Sequence, residues 1–106
     1  MTDTKLQTRT ARAAQGLDLP VGQVLVTLEA IKAMAAFGVS IDDVLAAHAL
    51  GSGGDFDFEE SFDNHREAAD GGDNCSQHDL TEDVAIRVIT PGNRQATIVW
   101  LYTEAS

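Results

Sequence analysis

The alternation of apolar and polar positions along this chain changes period several times, and each change marks an element. Gln23-Val24-Leu25-Val26 is a short run dominated by β-branched and aliphatic residues and predicts a strand. Thr27 is then placed to cap a helix, Glu29 falls in its first turn, and Leu28, Ile31, Met34 and Ala35 share one side at helical spacing. Gly38 ends that helix. Ser40 can cap a second one, with Asp42 and Asp43 in its first turn, Ile41, Val44 and Leu45 turned inward, and an end near His48 to Leu50. Gly51-Ser52-Gly53-Gly54 is a break. Glu59 to Ala69 predicts a third helix with Phe58, Phe62 and Ala69 facing inward, closed by Gly71 and Gly72. The period then falls to two. Cys75 to Leu80 reads as a strand, Val84, Ile86 and Val88 alternate with Ala85, Arg87 and Ile89, and Pro91-Gly92-Asn93 turns the chain into the run Ala96 to Tyr102. Trp100 is expected in the core. The fold class these elements predict is α+β: a small antiparallel sheet of three or four strands packed against two or three helices.

Residues 20–106 fit a single domain of this class. Residues 1–19 read as a loosely ordered arm whose Lys5, Arg9 and Arg12 would share a face if it were helical. With 106 residues and 43% apolar side chains, the chain can build one thin core. A lone cysteine, Cys75, excludes an internal disulfide and suits a reducing compartment. Met1 to Gln15 lacks the apolar segment of a secretory signal, and no apolar run approaches the roughly 18 residues of a spanning helix. A cytoplasmic location is the expectation.

Charge changes the picture most. Of the 17 acidic side chains, eleven lie between residues 55 and 83, and only one basic residue, Arg66, joins them. The rest of the chain is balanced, so the whole net charge of −10 belongs to this span. Such a chain repels nucleic acid and anionic membrane, which leaves a basic protein surface or a cation as electrostatic partner. The span also holds Phe56, Phe58 and Phe62. Carboxylates around aromatic anchors suit docking on an arginine- and lysine-rich groove, and can imitate a phosphate array. The alternative is a solvated face that only keeps the protein soluble. On the first reading the partner-binding residues are Asp55, Phe56, Asp57, Phe58, Glu59, Glu60, Asp63, Glu67 and Asp70.

Other chemistry finds less support. His48, His65, Cys75 and His78 are metal-ligand types, but no paired spacing brings four of them to one ion, so no metal or other cofactor is expected. The alternation Asp55-Asp57-Glu59 lacks the glycine and terminal glutamate of a calcium loop. A catalytic thiol needs positive neighbours, and Cys75 lies between Asp73 and Asp79 instead. Gly51 to Gly54 lacks the lysine and hydroxyl of a phosphate loop. The structural reading of the four ligand types is surface or helix-end histidines and a buried thiol. No catalytic residue is expected.

From Gly22 to Tyr102 the chain resembles a family of small proteins found on plasmids and other mobile elements. The matching pieces are Gly22-Gln23-Val24 with Thr27, Gly38, His48 before the glycine-rich break, Asp63-Asn64, Ile86-Arg87-Val88-Ile89-Thr90, and Arg94 and Thr97 with the aliphatic run to Leu101. The break departs from the family's Gly-Asp-Trp-Gly pattern, reading Gly51-Ser52-Gly53-Gly54-Asp55-Phe56 here. The resemblance implies no catalytic residue. It implies a setting in which accessory and anti-defence proteins are common. The expected function is therefore a non-enzymatic acidic protein-binding module of a mobile element. Its most specific form is an anti-CRISPR or anti-restriction inhibitor that occupies a basic nucleic-acid-binding surface. The alternatives are a small metal-binding or enzymatic protein using His48, His65, Cys75 and His78, and a structural homo-oligomer without an electrostatic target, a homodimer being its simplest form.

Overall fold

A computed structural model describes residues 19–103 of the chain, and the expected arm at 1–19 lies almost wholly outside them. The elements run β1 (Gln23–Val26), α1 (Leu28–Phe37), α2 (Ile41–Ala49), α3 (Phe58–Ala69), β2 (Asn74–Asp79), β3 (Val84–Thr90) and β4 (Ala96–Thr103). This is the α+β arrangement, with one sheet against helices.

Local chemistry sets the helix ends. The hydroxyl of Thr27 accepts from the Ala30 N–H, and Gly38 closes α1 in the left-handed conformation with φ 68°. The hydroxyl of Ser40 accepts from Asp42 and Asp43 at the start of α2. Asp57 caps α3, its Oδ1 accepting from the Glu60 N–H at 2.8 Å.

The sheet order is β1-β4-β3-β2. The strands β2, β3 and β4 are antiparallel neighbours, whereas β1 pairs with β4 in parallel. The expected all-antiparallel sheet is thus corrected to a mixed one. Three helices and two strands separate β1 from β4 in the chain, and a connection that long can return a strand in the parallel sense. Gly22 allows this pairing: its φ is 63°, and a Cβ there would fall 2.4 Å from the Gln95 backbone.

The core lies on one face of the sheet. Ile86, Val88 and Val99 meet Ala30 and Met34 of α1 and Val44 of α2, with Val24, Val26 and Leu101 beside them. Inward assignments are corrected in three elements. In α1 Met34 faces the sheet as expected, but Ala30 joins it, and Leu28, Ile31 and Ala35 are exposed, Leu28 and Ile31 at 60% and 50%. Phe58, Phe62 and Ala69 are exposed, because α3 meets the margin of β2 through Asn64, with Ala68 buried, rather than through aromatics. Trp100 is only half-buried: Thr97 and Val99 take the inward positions of β4, and strand alternation sends Trp100 to the other face.

Candidate functional site

Helix α3 and the loop before it run along the outer margin of β2 and give the acidic span its shape. The loop supplies part of the edge. Gly54 bridges to Gln77, whose N–H donates to the Gly53 carbonyl at 3.1 Å. Asp55 Oδ2 accepts from the Asp79 N–H at 2.8 Å, and Asn64 Oδ1 accepts from the Cys75 N–H at 2.6 Å. Every outward donor of this edge strand from Cys75 to Asp79 is therefore satisfied within the chain. Gly54 has φ 66°, and a Cβ on it would lie 2.5 Å from the Gln77 carbonyl oxygen, so the close approach needs glycine.

The nine residues expected to bind a partner divide into three groups. Asp55 closes the β2 edge and Asp57 caps α3, so both have structural work. Phe56 is half-buried, its ring 5.9 Å from the Arg87 guanidinium, which itself stacks on Tyr102 at 3.7 Å. The others, Phe58, Glu59, Glu60, Asp63, Glu67 and Asp70, are exposed on α3 and its C-cap. Phe58 is 84% exposed and stacks on Phe62, 54% exposed, with ring centroids 6.4 Å apart. Arg66 sits 5.8 Å above the Phe62 ring, and Asp63, Arg66, Glu67, Asp70 and Gly72 line a shallow depression of about 500 Å³. Phe62 belongs to this surface although the sequence placed it inside. Its spacing of four from Phe58 was the available signal.

The histidines and the cysteine are arranged quite differently from a metal centre. Among the described residues no three His, Cys, Asp or Glu side chains are grouped to hold an ion. His65 is exposed on α3, and Cys75 points to the sheet face opposite Ser76, where burial and the nearby Asp73 and Glu67 push its thiol pKa up. His48 lies at a helix end, in the last turn of α2, but is completely buried rather than at the surface. Its Nδ1 lies 2.6 Å from Ser76 Oγ and its Nε2 lies 2.8 Å from Thr90 Oγ1. Ser76 Oγ is 2.9 Å from His78 Nε2, Thr90 Oγ1 is 2.5 Å from Thr97 Oγ1, and Thr97 Oγ1 donates to the Val21 carbonyl at 2.6 Å.

That last carbonyl can only accept, which fixes the protons of the first three bonds, and a neutral His48 ring then fixes the other two. Thr97 has given its one proton to Val21, so Thr90 donates to Thr97. Thr90 therefore accepts from the Nε2–H of His48. The Nδ1 of His48 accepts from the Ser76 hydroxyl, and Ser76 accepts from the Nε2–H of His78. Burial, reinforced by His78 and Arg94, lowers the His48 pKa to about 3, so the ring is neutral, as this order requires. Asn74 completes the network, donating to the His48 carbonyl at 2.9 Å and accepting from Asn64 Nδ2 at 2.9 Å. Ser76 has the base-paired hydroxyl of a nucleophile, but it is 1% exposed and faces the core.

His48, Asn64, Thr90 and Thr97 are in or against the network, Arg94 donates to the Ala68 carbonyl at 3.0 Å, and Gly22, Thr27 and Gly38 hold turns and caps. No family model, curated protein or solved structure matches the chain.

Proposed function

We propose that the protein is a non-enzymatic binding module that docks on a basic protein surface through the outer face of α3. The observation that carries this reading is the Phe58–Phe62 pair, stacked and open on a helix whose other exposed positions include Glu59, Glu60, Asp63 and Glu67. Aromatic side chains are favoured as anchors at interfaces, and surrounding carboxylates steer a cationic partner toward them. Solubility alone gives no reason to expose two phenylalanines. The most specific form of the proposal is an anti-defence protein of a mobile element, in which the carboxylates stand in for the phosphates that a DNA- or RNA-binding groove normally receives. The resemblance and the concentration of charge support that form.

The test is a salt-controlled pull-down from bacterial lysate, followed by binding kinetics with any partner found. Reversing charge at Glu59, Glu60, Asp63 and Glu67 is expected to slow association roughly tenfold or more at low salt, because steering acts before contact. Phe58→Ala and Phe62→Ala are expected to speed dissociation, because an anchor acts after contact. A partner that binds both sets of variants like wild type, at low and high salt, would sink the proposal.

A further inference from the structure

The two edges of the sheet are treated in opposite ways. The β2 edge is closed by the loop 53–55 and by Asn64, as described above. At the other edge, the N–H groups of Gln23 and Thr27 donate to the Gln95 and Val99 carbonyls flanking and within β4. By strand alternation the N–H and C=O groups of Val24 and Val26 point away from the sheet. Among the described residues no strand pairs with that side of β1.

The surface around this edge is apolar. Seven large hydrophobic side chains are exposed in the described protein, and apart from Phe58 and Phe62 on α3 they are Leu25, Leu28, Ile31, Phe37 and Ile98. These five occupy β1, α1 and the adjacent outer position of β4. Beside them Val26, Ile31, Met34, Ala35, Val39 and Ile41 line a groove of about 320 Å³. The charges of α1 are Glu29 and Lys32, which cancel. Exposed apolar side chains thus flank this edge on both sides of the sheet, which favours covering it, and an unguarded edge strand is a template for another strand.

We propose that β1 pairs antiparallel with β1 of a second copy, giving a two-fold dimer with a continuous eight-stranded sheet. Three features select a second copy. Antiparallel pairing of a strand with itself has the two-fold symmetry that an isologous interface demands. The free groups then match: Val24 of each copy exchanges hydrogen bonds with Val26 of the other, and the two Leu25 side chains meet across the axis as a non-hydrogen-bonded pair. Finally, two molecules of charge −10 can approach at the end away from the acidic span, while their acidic helices stay at the far edges. Residues 1–18 are a poor occupant, since Met1, Leu6 and Leu17 are their only large apolar side chains. This inference is independent of the α3 proposal, which concerns the opposite edge.

The full chain at tens of micromolar is expected to sediment as a dimer. Leu25→Lys and Ile31→Lys change exposed positions, so each should keep the wild-type circular dichroism while weakening dimerisation at least tenfold. In a Cys75→Ser background, Leu25→Cys should oxidise to a covalent dimer, whereas Ile98→Cys, a strand further from the axis, should not. A monomeric wild-type chain at these concentrations overturns the proposal. So does a dimer that ignores Leu25→Lys and dissociates instead when Phe58 and Phe62 are replaced by serine. Cross-linking that is equal at both cysteine positions also rejects the register.

Discussion

His48 shows how much one residue can decide. The terminal acceptor at Val21, together with a neutral ring, imposes a single proton order on five hydrogen bonds, so the imidazole is the Nε2–H tautomer. Nitrogen-15 spectra of labelled histidine should show a protonated Nε2 and an unprotonated Nδ1 for His48 at pH 7; the reverse pattern would break the derived order. Acid should unmake the same feature. The folded ring has a pKa of about 3 against an ordinary 6.5. Below pH 6.5 the unfolded chain accepts a proton that the folded chain refuses, and this continues until pH about 3. The stabilisation is thus complete above pH 6.5 and is lost as pH falls, by about 2 kcal/mol between pH 7 and 5. His78, whose pKa burial also lowers, adds in the same direction. Urea unfolding at the two pH values should show this fall in the wild type and a smaller one in His48→Gln. Nothing in the sequence announced the role of His48. Its partners are 28 and 42 residues away along the chain, and only the register of β2 against β3 brings Ser76 and Thr90 to the two ring nitrogens.

At the scale of elements, α3 separates structural acidity from the acidity proposed for binding. Asp57→Ala removes a cap and should cost about 1 kcal/mol. Phe58→Ser and Phe62→Ser remove exposed side chains and should fall within about 0.5 kcal/mol of wild type. Chemical denaturation of the three variants distinguishes them; a large loss on truncating either phenylalanine would mean that the helix packs through its aromatics after all. The elements themselves were legible, because caps, glycines and period are local signals. Thr27, Ser40 and Gly38 do what their residue types suggest. Facing was less legible. The 3.6-residue period says which residues of α3 share a side, but not which side is inside. That depends on Asn64 reaching the Cys75 and Asn74 groups of β2, a polar contact that hydrophobic periodicity does not register. Trp100 failed for a related reason: its strand is apolar on both faces, so alternation alone could not choose.

Across the described residues the sheet order carries the asymmetry from one edge to the other, acidic and closed at β2, less charged and open at β1. Charge gathered at one end repels itself in the compact state. Raising NaCl from 20 to about 500 mM at pH 7 should therefore raise the melting temperature by a few degrees, since screening shortens the range of exposed charge to a few ångströms. A melting temperature that stays flat or falls would mean that the acids are already compensated. The fold class and the position of the acidic span were readable from the chain, but not the parallel pairing, because β1 and β4 lie some 70 residues apart and neither signals its partner. That pairing has a consequence for synthesis. During translation α1, α2 and α3 leave the ribosome before β4, the one strand that pairs with β1 among the described residues. Until residues 96–99 emerge, the nascent chain holds β1 without the strand it pairs with in the folded protein. Ribosome-bound chains stalled with β4 still in the exit tunnel should accordingly be sensitive to proteases at 23–26, and become resistant once β4 is released.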